Sequence, residues 1–331
     1  MNAIPTLKKI SEHLNISIST VSRALKDHPD VSAETIRRVK ELAEMLEYEP
    51  NAFAVNLRKR KSDNYAILVP EISGYFYHSF IQSIEEDARR AGFGVMILQS
   101  MDDPEIEVAN LKICRYNHVS GIFLAISSLT KDYSAFKKTE ESGIPIIFFD
   151  KVPHGDVYST ISIADFDAGK EAALRIAAAG KNKICCLMGN PDFSISQRRE
   201  KGFLEQWRSG HTNDPTLFYA LNEDDAYNYI IGLGKDTLND MAIFCMSDEI
   251  LGGVMRALYN LGVSIPRDVS VLAMSNGQLP RFFNPEVSYL QSSGYQLGKL
   301  CTKAMEKRQN GVAPETIKEM VQCQFFVGAS L

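Results

Sequence analysis

The sequence predicts an α/β protein with a small all-α head at its N-terminus, followed by two doubly wound parallel-sheet subdomains. Three observations lead there. Residues 6–46 place apolar side chains at helical spacing, interrupted by hydroxyl residues of the kind that cap helices. From residue 64 onward, apolar strand-like runs alternate with helical stretches, the pattern of a parallel sheet with crossover helices. The charge also changes sign between the two parts. Residues 1–62 hold eleven Lys/Arg against eight Asp/Glu, whereas residues 63–331 hold 25 against 33, in a chain of net charge −5.

At 331 residues, 45% hydrophobic and 23% charged, the chain is long enough for two or three domains with sizeable cores. No run approaches the roughly 18–20 apolar residues of a membrane span. MNAIPTLKKI lacks the apolar stretch of a secretory signal, so a cytoplasmic location and no membrane partner are expected. Six cysteines (114, 185, 186, 245, 301 and 323) form no CxxC pair and read as reduced core thiols.

In the head, Thr6 is placed to cap a helix through Leu7, Ile10 and Leu14. After a break at Asn15, Ser17 is placed to cap a second, whose inward positions are Val21, Ala24 and Leu25. Lys26 to Asp30 ends it. Ser32 then caps a third, with Ile36, Val39, Leu42, Ala43 and Leu46 on its apolar stripe. Three short helices with a tight turn between the first two make a helix-turn-helix.

The outer face of the second helix is Ile18, Ser19, Ser22 and Arg23. Short hydroxyl side chains let a helix lie deep in a major groove, and an arginine there reaches guanine edges or a phosphate. A three-helix bundle with a merely polar surface fits the same spacing. Charge alone likewise fits a polyanion-binding head or a lysine-rich solvated one.

The wording of the sequence is more specific. TLKKISEHLNISISTVSRALKDHPDVSAETIRRVKELAEMLEYEPNAFAVNLR, residues 6–58, closely resembles the DNA-binding head of the lactose/galactose-repressor family. The resemblance implies a head over 1–50 whose recognition helix spans 17–25. It also implies a hinge helix and linker over 51–63, and an effector-binding and dimerising body over 64–331. Thr6, Ser17, Ile18, Ser19, Thr20, Ser22, Arg23 and Lys26 are the DNA-facing candidates of the head, and Asn51, Ala54 and Leu57 those of the hinge. In the family a leucine at the position of Leu57 wedges between base pairs and kinks the operator. Unstacking a step costs a few kcal/mol, offset by contacts to the bent DNA. The run Arg58-Lys59-Arg60-Lys61 fits a phosphate-facing linker.

In the body, YAILVPEI, GVMILQS, GIFLAI and IPIIFFD read as strands, with SFIQSIEEDARRAG, EVANLKICRYN and KKTEESG as helices between them. The pattern resumes with DAGKEAALRIAAAG, KICCLMG, REKGFLEQWRSG, AIFCMS, ILGGVMRALYNLG and VSVLAMS. Two such sheets place a ligand cleft at the carboxyl ends of their strands. This half resembles the family's periplasmic-binding-protein-like domain. The likeness implies an N-subdomain of about 64–163 and 292–321 and a C-subdomain of about 164–291 and 322–331, with crossings near residues 163, 291 and 321.

Residues just beyond strand ends are the cleft candidates: Phe76 and Tyr77, Asp102, Ser127, Asp165, Arg199, Ser247, Asp248, Ser275 and Asn276. Arg199 stands in the family's R-x-x-G-F/W pattern, and its guanidinium fork suits hydroxyls or a carboxylate. Ser247 stands where relatives have Asn, and Ser275-Asn276 where many have Asp-Asp. Carboxylates that bind sugar hydroxyls in relatives are therefore missing, which opens the question of the effector.

Signs of catalysis are weak. The six histidines are scattered, without metal-ligand spacing or a partnered nucleophile. Gly232-Leu-Gly-Lys-Asp-Thr lacks the spacing and ending of a phosphate loop. The sequence thus reads as a non-enzymatic regulator, a repressor by preference, without cofactor or metal. It is expected to act as a homodimer on a pseudo-palindromic operator and to respond to a carbohydrate-like effector. The alternative is a sugar-binding or metabolic protein whose head only dimerises. No leucine-heptad tail follows Phe325-Phe326-Val327, so no tetramer by that device is expected.

Overall fold

A computed structural model describes residues 5–48, 62–311 and 316–331. It divides the chain into a head, Met1–Lys61, and a body, Ser62–Leu331. The hinge candidates Asn51, Ala54 and Leu57, and the basic run at 58–61, lie outside the described residues.

The head is three helices, α1 (Leu7–Leu14), α2 (Ile18–Ala24) and α3 (Ala33–Met45). Each begins where a hydroxyl side chain satisfies an orphan backbone N–H: Thr6 accepts from Lys9, Ser17 from Thr20 and Ser32 from Thr35. Asn15 ends α1 with φ 51°, a left-handed conformation that asparagine tolerates better than most residues. Its turn swings α2 across α1. Ile10, Val21, Ala24, Val39 and Ala43 are buried together, with Leu7, Leu14, Leu25, Ile36, Leu42 and Leu46 packed around them. The apolar positions predicted for each helix thus form one small core, each large side chain contributing about 1.5–3 kcal/mol when fully buried.

The body contains two six-stranded sheets. The first holds β1 (Asn64–Val69), β2 (Gly94–Gln99), β3 (Gly121–Leu124), β4 (Ile146–Phe149), β5 (Thr160–Ile163) and β11 (Lys318–Val321), in the order β11-β5-β4-β3-β1-β2. The second holds β6 (Lys183–Met188), β7 (Thr216–Tyr219), β8 (Met241–Cys245), β9 (Val269–Ser275), β10 (Ser288–Gln291) and β12 (Gln324–Phe326), in the order β12-β10-β9-β8-β6-β7. Every pairing is parallel except β10 with β12. The chain therefore leaves the first sheet after β5, returns after β10 and crosses again between β11 and β12.

Parallel strands covered on both faces read as continuous apolar runs. In the first sheet, Tyr65, Ile67, Val69, Phe123 and Phe149 face α4 (Tyr75–Arg90) and α11 (Gly294–Gln309). Their neighbours Ala66, Leu68, Ile122, Leu124 and Phe148 face α5 (Pro104–Tyr116) and α6 (Ser134–Glu141). The second sheet buries Leu187, Phe244, Val271 and Leu272 among α7 (Asp165–Ala178), α8 (Ser194–Arg208), α9 (Glu223–Leu238) and α10 (Asp248–Asn260). Gly232 to Thr237 lies inside α9, which kinks at Gly234 (φ 70°, ψ 162°), so it makes no phosphate loop. Five cysteines are buried and Cys323 is half-buried, all of them free thiols.

Gly202, the glycine of R-x-x-G-F, has a steric duty. A Cβ there would lie 2.0 Å from the Phe166 carbonyl oxygen, and one at Gly169 would lie 2.1 Å from the Arg199 oxygen. Only glycines allow α7 and α8 so close, and that approach carries Arg199 to Asp165.

Candidate functional site

Two surfaces concentrate polar chemistry, one on the head and one within the body.

On the head, α2 presents Ile18, Ser19 and Arg23 to solvent, with Lys26 exposed just beyond it and Ser22 and Thr20 half-buried. Ile18 is 47% exposed, a large apolar side chain left outside the core. Ser17 is occupied at the cap, its Oγ within 2.7 Å of the hydroxyls of both Ser19 and Thr20. Thr6 is occupied likewise at the cap of α1. On α3, Arg37 pairs with Glu34 and Glu41 and Lys40 with Asp27, while exposed Arg38 enters no ion pair among the described residues. Arg23 and Lys26 enter no ion pair among the described residues. These two leave the α2 side with cations free to meet a phosphate backbone.

In the body, a cavity of about 630 Å³ opens between the carboxyl ends of the two sheets. From the first sheet's side come Glu71, Phe76, Tyr77, Asp102, Asp150 and Lys151. From the second come Phe193, Arg199, Glu223, Met246, Ser247, Asp248, Glu249 and Ser275. Phe76 and Tyr77 stand on the first turn of α4, which begins before the stretch predicted as helical.

The polar groups of this wall are held by one another. Arg199 donates from Nε to Asp165 Oδ1 (2.8 Å) and from Nη1 to the Met246 carbonyl (3.0 Å). Tyr77 donates its hydroxyl to Asp150 Oδ2 (2.8 Å), and burial pushes its own pKa up. Asp248 accepts from the Ser275 hydroxyl and from the Asn276 backbone N–H (2.8 Å). Burial still raises its pKa to about 6. Lys151 Nζ lies 3.9 Å from Asp102 Oδ1 and 3.5 Å from the centroid of the Phe193 ring. Its burial lowers the ammonium's pKa, against the pull of Asp150, Asp102 and Glu71.

Both surfaces have counterparts among known proteins. The description "Bacterial regulatory proteins, lacI family" matches residues 6–51, and "Periplasmic binding proteins and sugar binding domain of LacI family" matches residues 62–326. The chain belongs to the LacI family.

Among LacI-family relatives, the NTD biosynthesis operon regulator NtdR of Bacillus subtilis is 23% identical over 299 residues, covering 89% of this chain and 90% of NtdR. Catabolite control protein A of Staphylococcus aureus is 24% identical over 310 residues, 92% of each chain. The lac repressor dimer bound to operator and the anti-inducer ONPF superposes with a TM-score of 0.88 at 17% identity, covering 99% of both chains. These relatives are transcriptional regulators, and the shared fold extends over head and body.

Of the ten LacI-type cleft candidates, Phe76, Tyr77, Asp102, Arg199, Ser247, Asp248 and Ser275 line the cavity. Three do not. Ser127 is buried, its N–H bound to Glu107 Oε2 (2.7 Å) and its hydroxyl to Ser100 Oγ (3.1 Å). Asp165 lies behind Arg199 as its counter-ion, and its own burial pushes the carboxyl up. Asn276 turns away and accepts at Oδ1 from Ser79 (2.8 Å) on α4 and from the Gly294 N–H (3.1 Å) of α11, stitching the second sheet to the first subdomain. The strand-end rule picked them because it locates the chain and not the side chain.

Asp150, Lys151, Phe193, Glu71 and Glu249 were missed. Asp150-Lys151 directly follows β4, so the same rule reaches them. Phe193 precedes α8 in a loop without a strand-end signal.

Proposed function

We propose that this LacI-family chain is a homodimeric repressor that binds a pseudo-palindromic operator through α2 and loses or gains that affinity when a small metabolite fills the cleft. The observation that carries the reading is the exposed Ile18/Ser19/Arg23 face of α2, whose arginine enters no ion pair among the described residues. A two-fold dimer meets two half-sites in successive major grooves. Exposed Ile97 on the edge strand β2, and Ile106, Ile113 and Tyr116 on the neighbouring α5, suit a second copy of the chain. A carbohydrate or related metabolite suits the cavity, which sets aromatic rings beside hydroxyl-binding carboxylates within the part of the chain that matches the family's sugar-binding domain. Closure of the two subdomains over it changes the face offered to the partner copy, provided that the ligand prefers one arrangement. No catalytic role and a cytoplasmic location belong to the same reading. No helix among the described residues is long and apolar enough to cross a membrane.

Salt dependence of binding to a palindromic duplex is the test. Phosphate neutralisation releases counterions, so the log-log plot must slope downward, by about 0.9 for each contact. A slope near zero makes the head a dimerisation bundle on a sugar-binding or metabolic protein. Leu57→Ala should reduce operator bending more than non-specific binding.

A further inference from the structure

We propose that the metabolite taken by this cleft carries a protonated amine on a polyhydroxyl frame, an amino sugar or an aminocyclitol. The inference rests on the cleft being the effector site and names the class of effector.

The balance of charge in the wall is lopsided. Six carboxylates line it, those of Glu71, Asp102, Asp150, Glu223, Asp248 and Glu249, against two cations, Lys151 and Arg199. Internal pairing uses up both cations. Arg199 is bound at 2.8 Å to Asp165, a carboxylate outside the lining, and Lys151 approaches Asp102. Glu223 is paired with Arg256 at 3.0 Å. Glu71, Asp150, Asp248 and Glu249 remain with no ion-pair partner among the described residues. Asp150 and Asp248 are buried, and their hydrogen bonds come from neutral donors.

An anionic ligand, such as a sugar phosphate or a uronate, would enter a site with unpaired carboxylates and no unpaired cation. Desolvated like charges repel strongly, and repulsion of this kind is how a site rejects the wrong ligand. A neutral sugar would satisfy the acceptors yet leave the excess charge standing. A small metal ion is a poor fit: among the described residues no group of His, Cys, Asp or Glu is arranged to hold one. The cavity is of a size for a mono- or disaccharide, and Phe76, Tyr77 and Phe193 supply faces for the apolar side of a pyranose or cyclitol ring.

Lys151 shows how the site treats an ammonium. Its side chain is 12% exposed, its nitrogen sits over the Phe193 ring, and Asp150, Asp102 and Glu71 all draw on its charge. The chain itself places an ammonium where a ligand amine would find both an aromatic face and carboxylates. A ligand amine would compete with it, so the resident lysine opposes binding of a cation. For a neutral or anionic ligand the same lysine would be a donor and an aid.

The test is thermal shift and calorimetry on the intact protein. The probes are hexosamines and aminocyclitols, their N-acetylated forms, the parent neutral hexoses and cyclitols, and hexose phosphates. At least one free amine should stabilise the protein and bind about tenfold or more tighter than its N-acetyl partner. Lys151→Met should tighten that binding several-fold, and Glu249→Gln or Glu71→Gln should weaken it, with unliganded melting recorded for each variant as a check on folding. If only neutral or phosphorylated compounds bind, or if Lys151→Met weakens amine binding, the amine assignment is overturned while the cleft stands as the effector site. If no compound of any class binds, the assignment fails together with the reading of the cleft on which it rests.

Discussion

Lys151 and Phe193 meet across the cleft, Nζ 3.5 Å from the ring centroid, one just past β4 of the first sheet and the other leading into α8 of the second subdomain. A cation over an aromatic face is worth about 0.5–1 kcal/mol in the open and about 2 kcal/mol when desolvated. Because the two residues belong to different subdomains, that energy favours the closed arrangement. Phe193→Ala should lower the melting temperature of the unliganded protein modestly and widen its small-angle scattering envelope. An unchanged envelope would show that the contact does not hold the cleft.

Arg23 is the cation best placed to read bases, exposed on α2 and free of ion pairs among the described residues. Arg23→Ala should weaken specific operator binding by about 1–3 kcal/mol if it makes a bidentate base contact. If Arg23 contacts only a phosphate, affinity falls alike for operator and random DNA, and the salt slope drops by about one contact. Competition binding against non-specific duplex separates the two.

Most of the head was legible in the sequence because each of its helices announces itself twice, by a hydroxyl cap and by a 3.6-residue apolar period. Both sheets were legible through runs such as KICCLM and VSVLAMS. The edge pieces β7, β11 and β12 are partly exposed and only four, four and three residues long, too short to show a strand period. Side-chain direction was the least legible part of the cleft. Nothing local distinguishes Asp248, which faces the cavity, from Asp165, which lies behind Arg199; the close approach of α7 and α8 decides it.

That approach is itself open to test. Gly202→Ala would put a Cβ 2.0 Å from the Phe166 carbonyl oxygen, and backbone cannot yield as a side-chain end can. Overpacking of this kind costs at least about 1–3 kcal/mol, and separating the helices also draws Arg199 from Asp165. The variant should melt several degrees lower and respond poorly to any cleft ligand. Gly210→Ala, where nothing lies within 4 Å, is the control and should leave the melting temperature nearly unchanged. Equal effects from the two substitutions would refute the steric account.

Asp248 makes stability depend on pH in a definite direction. Burial holds its folded pKa at about 6, above the ordinary aspartate value near 3.9. The folded protein therefore keeps this proton through a range where the unfolded chain has released it. Below pH ~4 both states are protonated and the residue costs nothing. As the pH rises through that value toward 6 the unfolded state gains by ionising, and stability falls. The full cost, about 3 kcal/mol for two pKa units, is present above pH 6. In Asp248→Asn the amide still accepts from the Asn276 N–H, and the Ser275 hydroxyl can turn to accept from it. The variant should therefore gain on the parent between pH 4 and pH 7, the difference in denaturant midpoint growing across that window. A difference that stays flat with pH would mean that Asp248 is already solvated as a carboxylate by Ser275 and Asn276, and that burial does not govern its charge.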